Sequence, residues 1–176
     1  MIINLTEVLS LEGKTKTYNA EVSLETFDCR LGSYKIIDKY PLELKVTNKG
    51  NKKLELNTFV KLSLIIPCDR CLTDVITPLE IEVDEVVDLR ASEEDRIEQL
   101  DEQDYIKGYN LDVDRFVYGE ILLNLPMKTL CSEDCKGICN ICGANLNFST
   151  CNCEHEERLD PRMSVIHDIF KNFKEV

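Results

Sequence analysis

The sequence predicts an α+β protein. An antiparallel β domain, one that could curl toward a barrel, is followed by a helix and a cysteine-rich, zinc-knuckle C-terminal region ending in a second helix. Three observations lead there. Hydrophobic residues in the first half recur with a period of two, the middle of the chain is dense in acid, and six of the nine cysteines fall between residues 131 and 153. A chain of 176 residues, 43% hydrophobic and 31% charged, can bury one sizeable core or two small ones.

The β domain is expected over residues 1–90. Leu42, Leu44 and Val46 alternate with Glu43, Lys45 and Thr47. After the turn "NKGN", Leu54, Leu56, Thr58, Val60, Leu62, Leu64 and Ile66 occupy even positions. After "PCDRC" the register restarts on odd positions, with Val75, Thr77, Leu79, Ile81, Val83, Val87 and Leu89. Such alternation, broken by turn residues, marks antiparallel strands with one face buried. Pro78 cannot donate to a ladder and belongs at an edge or bulge. The segment "AEVSLETFDCRLGSYKI" adds a further strand or two, with Cys29 as a small apolar core residue.

Residues 91–110 lack this order and read as an acidic, solvated linker. Residues 111–176 then open with a helix. Asp112 or Asp114 can cap it, Val113, Phe116, Val117 and Ile121 share one face, and Pro126 limits it. In "DPRMSVIHDIFKNF", Asp160 suits an N-cap and Pro161 the first helical turn, while Ile166, Ile169, Phe170 and Phe173 form an apolar stripe.

The formal net charge of −12 argues against a protein whose affinity comes from neutralising phosphates in bulk. The charge is uneven. Residues 30–61 hold eight basic and three acidic side chains, whereas residues 80–104 hold twelve acidic and two basic. No stretch approaches the roughly 20 apolar residues that span a bilayer. The opening "MIINLTEVLSLEGK" does not read as a secretory signal, so a cytoplasmic location and no membrane partner are expected.

In a reducing cytosol grouped cysteines are metal ligands more often than disulfides, and nine is an odd number. Eight of them form short pairs: Cys68/Cys71, Cys131/Cys135, Cys139/Cys142 and Cys151/Cys153. Pairs two to four residues apart wrap a turn around one ion, and four thiolates complete a tetrahedron, so two Zn²⁺ sites are expected. Cys139, Cys142, Cys151 and Cys153 make the first, in the compact unit "CNICGANLNFSTCNC". By subtraction Cys68, Cys71, Cys131 and Cys135 make the second, which would staple the β domain to the C-terminal region. His155 is an alternative ligand to Cys153.

The motifs of catalysis are not met. "PCDRC" matches the second half of the zinc-deaminase signature, but the only H-x-E, at 155–157, lies downstream of it. A thioredoxin-like C-x-x-C would open a helix, whereas a strand pattern follows "CDRC". No Gly-rich phosphate loop, G-x-S-x-G or H-E-x-x-H occurs. The reading is a structural metal, no enzyme and no small-molecule substrate.

Taken in order, "PCDRCL", an acidic middle, "ILLNLPMKTLCSEDCKGICNICGANLN", a C-x-C pair and "DPR" resemble the YceD (DUF177) family of large ribosomal RNA subunit accumulation proteins, over roughly residues 40–173. The resemblance implies a non-enzymatic role in 23S rRNA synthesis, processing or stability, and so in large-subunit assembly. The partner would be precursor rRNA, a ribosomal protein or another assembly factor. Lys45, Lys49, Lys53 and Lys61 share the outward face of the predicted hairpin with Phe59, a surface that suits a partner or simply a solvated face. The resemblance also falls on Arg162. Two rival readings are a zinc-dependent nucleic-acid-binding regulator and a thiol or zinc redox sensor.

Overall fold

The structure, a computed structural model, describes residues 1–89 and 105–153. Most of the expected linker, and the C-terminal segment with His155, Asp160, Arg162 and the apolar stripe, lie outside the described residues. The chain divides into two compact units, Met1–Asp69 with Thr73–Cys131, and Arg70–Leu72 with Ser132–Val176.

The first unit is built on an antiparallel sheet of six strands: β2 (Thr15–Ala20), β3 (Thr26–Cys29), β4 (Gly32–Ile37), β5 (Leu42–Gly50), β6 (Lys53–Pro67) and β7 (Asp74–Asp88). β6 is its spine. β7 pairs along its whole length, from Lys53↔Asp88 to Pro67↔Asp74. The other edge is shared, with β5 beside Lys53 to Asn57 and β4 beside Ser63 to Ile65. β2 and β3 extend those two short strands outward. The sheet is therefore open. The barrel that the alternation left possible does not close, because two short strands divide one edge of β6 and neither side reaches β7. Among the described residues β7 pairs with β6 alone, which gives Pro78 the edge position its missing N–H requires.

The period-two pattern sets the faces. Leu42, Leu44 and Val46 of β5, Leu54, Leu56, Val60, Leu62, Leu64 and Ile66 of β6, and Leu79, Ile81, Val83 and Val87 of β7 are all buried. They meet Val113, Phe116, Val117 and Ile121 of helix α2 (Val113–Asn124) in one apolar core. Asp112 caps that helix, its Oδ1 accepting from the backbone N–H of Asp114 at 3.1 Å and Arg115 at 3.4 Å. Tyr118 donates to the Asp28 carbonyl at 2.7 Å and stacks at a tilt on Phe27, which ties α2 to β3. Cys29 is partly buried against the same core.

A second, three-stranded sheet joins β1 (Ile2–Asn4) to β9 (Asn110–Asp112) and β8 (Ile106–Lys107). Residues 105–110, which acid density assigned to the linker, thus form part of a packed hairpin. Tyr105 and Ile106 are buried, and the Tyr105 ring meets Phe116 edge-on at 5.2 Å.

Helix α1 (Thr6–Leu9) and the following turn are held to β5 by one buried amide. Asn48 Nδ2 donates to the carbonyls of Val8 at 3.2 Å and Leu11 at 3.0 Å, and its Oδ1 accepts from Gly50 N–H at 2.9 Å. Replacing Asn48 with alanine strands these groups out of water, and is expected to lower unfolding free energy by about 2–4 kcal/mol. Urea denaturation measures this. An unchanged midpoint would show that water replaces the amide.

Among the described residues the second unit has no helix or extended strand, only an isolated bridge between Ile138 and Asn145. No residue of 132–153 joins the apolar core. Among its described residues the buried hydrophobic ones are Cys71, Cys135 and Cys139, while Ile138, Ile141 and Phe148 stay exposed, Phe148 by 82%. Among the described residues, 132–153 thus gain little from hydrophobic burial.

Candidate metal centre

Both C-x-x-C pairs adopt the same turn. Cys68 N–H donates to the Thr73 carbonyl and Cys139 N–H to the Ala144 carbonyl, each at 2.8 Å and each across five residues. The residue after the second cysteine is left-handed in both, Leu72 at φ 60° and Gly143 at φ 73°. Glycine takes this conformation freely, whereas leucine does so at a cost of roughly 1–2 kcal/mol. In the second turn the sulfur of Cys139 accepts from the N–H of Ile141 at 3.4 Å and of Cys142 at 3.5 Å. Inward-facing amides of this sort stabilise thiolate over thiol.

The sulfurs gather into two groups, Cys68/Cys71/Cys131/Cys135 and Cys139/Cys142/Cys151/Cys153, with every sulfur of a group within 4.8 Å of the others. These are the two quartets that the sequence reading expects, the second of them by subtraction. Four sulfurs about 2.3 Å from one ion lie roughly 3.8 Å apart in a tetrahedron, a spacing near that of each quartet. Cys68, Cys71, Cys135 and Cys139 are buried, Cys151 and Cys153 half-buried, and Cys131 and Cys142 exposed. Both quartets could hold a metal ion.

The electrostatics of the 139–153 quartet fit a cation. The N–H groups of Cys142 and Ile141 lower the Cys139 thiol to about 6. Cys153 is pushed up to about 12, first by its hydrogen bond with Cys142, then by burial and the neighbouring sulfurs. At Cys151 the N–H of Cys153 acts downward, but the hydrogen bond with Cys139, burial and the charges of Cys139 and Cys142 outweigh it and raise the thiol. With no positive charge nearby, Cys151 and Cys153 hold on to their protons at neutral pH. A divalent cation removes that conflict, releasing protons as it binds.

Polar side chains around the sulfurs were not singled out by the sequence. Asp69 Oδ2 accepts from Thr129 N–H at 2.7 Å while Asp69 N–H donates to the Thr129 carbonyl at 2.9 Å. Arg70 Nη1 donates to the Cys135 carbonyl at 2.9 Å. Gly137, at φ 78°, passes so close that an added Cβ would stand 3.1 Å from the Arg70 carbonyl oxygen. Asn147 Nδ2 donates to the Cys135 sulfur at 3.3 Å. The run "NLN" was legible as a motif, but nothing in it disclosed a sulfur contact.

The family profile described as "Large ribosomal RNA subunit accumulation protein YceD" matches residues 56–170. This chain belongs to the YceD family. The YceD match begins inside β6 and takes in all eight quartet cysteines. The chain is 25% identical over 148 residues to the chloroplastic large ribosomal RNA subunit accumulation protein YCED homolog 1 of Arabidopsis thaliana, covering 69% of this chain and 46% of that one. It is 28% identical over 125 residues to the uncharacterized protein Rv2926c of Mycobacterium tuberculosis, covering 71% of this chain and 59% of that one. With the uncharacterized protein YlbN of Bacillus subtilis it shares 27% identity over 122 residues, 69% of each chain. The chain spans about half the length of the plant and mycobacterial relatives. No solved structure matches it.

Outside the YceD cysteines, Lys45, Lys49, Lys53, Phe59 and Lys61 are exposed on β5 and β6. Acids neutralise much of this surface. Lys49 pairs with Glu55 at 2.8 Å, Lys53 with Asp88 at 3.8 Å and Lys61 with Glu80 at 2.6 Å, and Phe59 stands opposite Glu82. Three of the four lysines thus face a neighbouring carboxylate. No helix among the described residues is long and apolar enough to cross a membrane.

Proposed function

We propose that each quartet holds one Zn²⁺ and that this YceD-family protein is a cytoplasmic, non-enzymatic factor supporting large-subunit ribosomal RNA accumulation, through 23S rRNA synthesis, processing or stability. The observation that carries the reading is the family match, which takes in every quartet cysteine. A four-thiolate zinc is coordinatively full, so it shapes the chain and leaves no position for a substrate. The metal supplies cohesion that residues 132–153 do not obtain from the apolar core of the described residues.

The partner is a ribosomal protein, an assembly factor or a local feature of precursor rRNA. The net charge of −12 and the paired lysines of β6 disfavour binding along phosphates in bulk. A DNA-reading module is a weaker fit, because the one basic side chain of α2, Arg115, lies 3.7 Å from Asp112. Depleting the protein is expected to lower 23S relative to 16S rRNA, read as total RNA and as sucrose-gradient profiles. Unchanged ratios and profiles would contradict the reading. Crosslinking in cells, followed by sequencing of attached RNA and mass spectrometry of attached protein, identifies what it touches.

A further inference from the structure

Resting on the two-zinc reading, we infer that Asn147 is a positioning residue that couples the two metal sites, so that filling one strengthens the other. Cys135 and Cys139 belong to different quartets and are four residues apart, a span of at most about 14 Å even fully extended. Asn147 lies in the loop between Cys142 and Cys151, both ligands of the 139–153 quartet, yet its side chain donates to the Cys135 sulfur of the other quartet at 3.3 Å. The loop closing one site therefore delivers an N–H to a ligand of its neighbour.

The amide is fully engaged. Its second Nδ2 hydrogen goes to Asn145 Oδ1 at 2.9 Å, and its Oδ1 accepts from Lys136 N–H at 2.8 Å. Only one orientation of the amide satisfies this set, since the reverse would set oxygen against the sulfur and Asn145 Oδ1 and set NH₂ against Lys136 N–H. The loop is anchored twice more, by Leu146 N–H to the Gly137 carbonyl at 2.9 Å and by the Asn147 backbone N–H to Asn145 Oδ1 at 3.0 Å. Metal bound by Cys142 and Cys151 fixes both ends of the loop and holds Asn147 beside Cys135. A side-chain N–H held against a ligand sulfur orients that sulfur toward the ion, and partners of this kind change metal affinity about 10- to 100-fold. Linkage requires that the help be mutual.

The test uses the full chain, with Zn²⁺ affinity measured by chelator competition and the protected cysteines mapped by N-ethylmaleimide labelling and mass spectrometry. Asn147→Asp keeps the acceptor for Lys136 but removes the donor to sulfur. It is expected to weaken the site containing Cys135 at least 10-fold, with Cys68, Cys71, Cys131 and Cys135 labelled first. Cys142→Ser, which opens the other site, is expected to expose the same four thiols in the wild-type background and to add little in the Asn147→Asp background. Two zinc ions held by Asn147→Asp with wild-type affinity and protection would overturn the coupling and leave the two-zinc reading standing. Wild-type protein that binds no zinc would overturn both.

Discussion

Cys139→Ser is expected to cost the protein one of the two zinc ions proposed for it and the fold of residues 139–153, while the β-sheet unit stays folded. Cys139 is 2% exposed and its sulfur gathers two backbone N–H groups, so the serine leaves those donors facing a poorer ligand. Structural zinc sites in small peptides contribute roughly 10–16 kcal/mol of apparent binding free energy at neutral pH. The hydrogen bonds of this unit, at about 1 kcal/mol net each, cannot replace that. Metal analysis would fall from two equivalents to one, with the remaining ion held more weakly by Cys68, Cys71, Cys131 and Cys135, and the amide NMR signals of 139–153 would collapse to random-coil positions. Retention of both the zinc and the dispersed signals would show that the unit is held without this site.

Phe116→Ala is expected to do the converse, lowering the stability of the sheet unit by about 3–5 kcal/mol with zinc content unchanged at two. The Phe116 ring is 1% exposed and packs edge-on against Tyr105, so its removal opens a cavity where α2, the small sheet and the large sheet share one core. Thermal and urea unfolding followed by circular dichroism measure the loss. A cost below about 1 kcal/mol would mean that the core collapses onto the gap.

The long strands and α2 were readable because each carries a repeated signal. Seven even positions in β6 and the Asp112 cap before an apolar face leave little freedom of register. The cysteine pairs were readable for the same reason, each spacing being a local turn. β1, β8 and β9 span two or three residues each, too few to show a period, and their pairing joins Ile2–Asn4 to residues more than a hundred positions away. β2, "TKTYNA", hides its alternation in threonines and a half-buried tyrosine. The turn "NKGN" showed that Asn48 sits at a hairpin, but its two carbonyl partners come from α1 and the turn after it, and contacts at that separation have no sequence signature. The outward lysines lie on one face, whereas two of the three acids that pair with them, Asp88 and Glu80, come from β7 and required the register to be known.

Metal, in place of apolar burial, is proposed to hold residues 132–153 together. Elemental analysis of the purified full chain, with and without chelator and paired with an amide spectrum, tests it most directly. The account predicts two zinc ions per chain, and loss of dispersed signals from 132–153 when they are removed. A chain that carries no metal, or that keeps those signals after its zinc has been stripped, would contradict it.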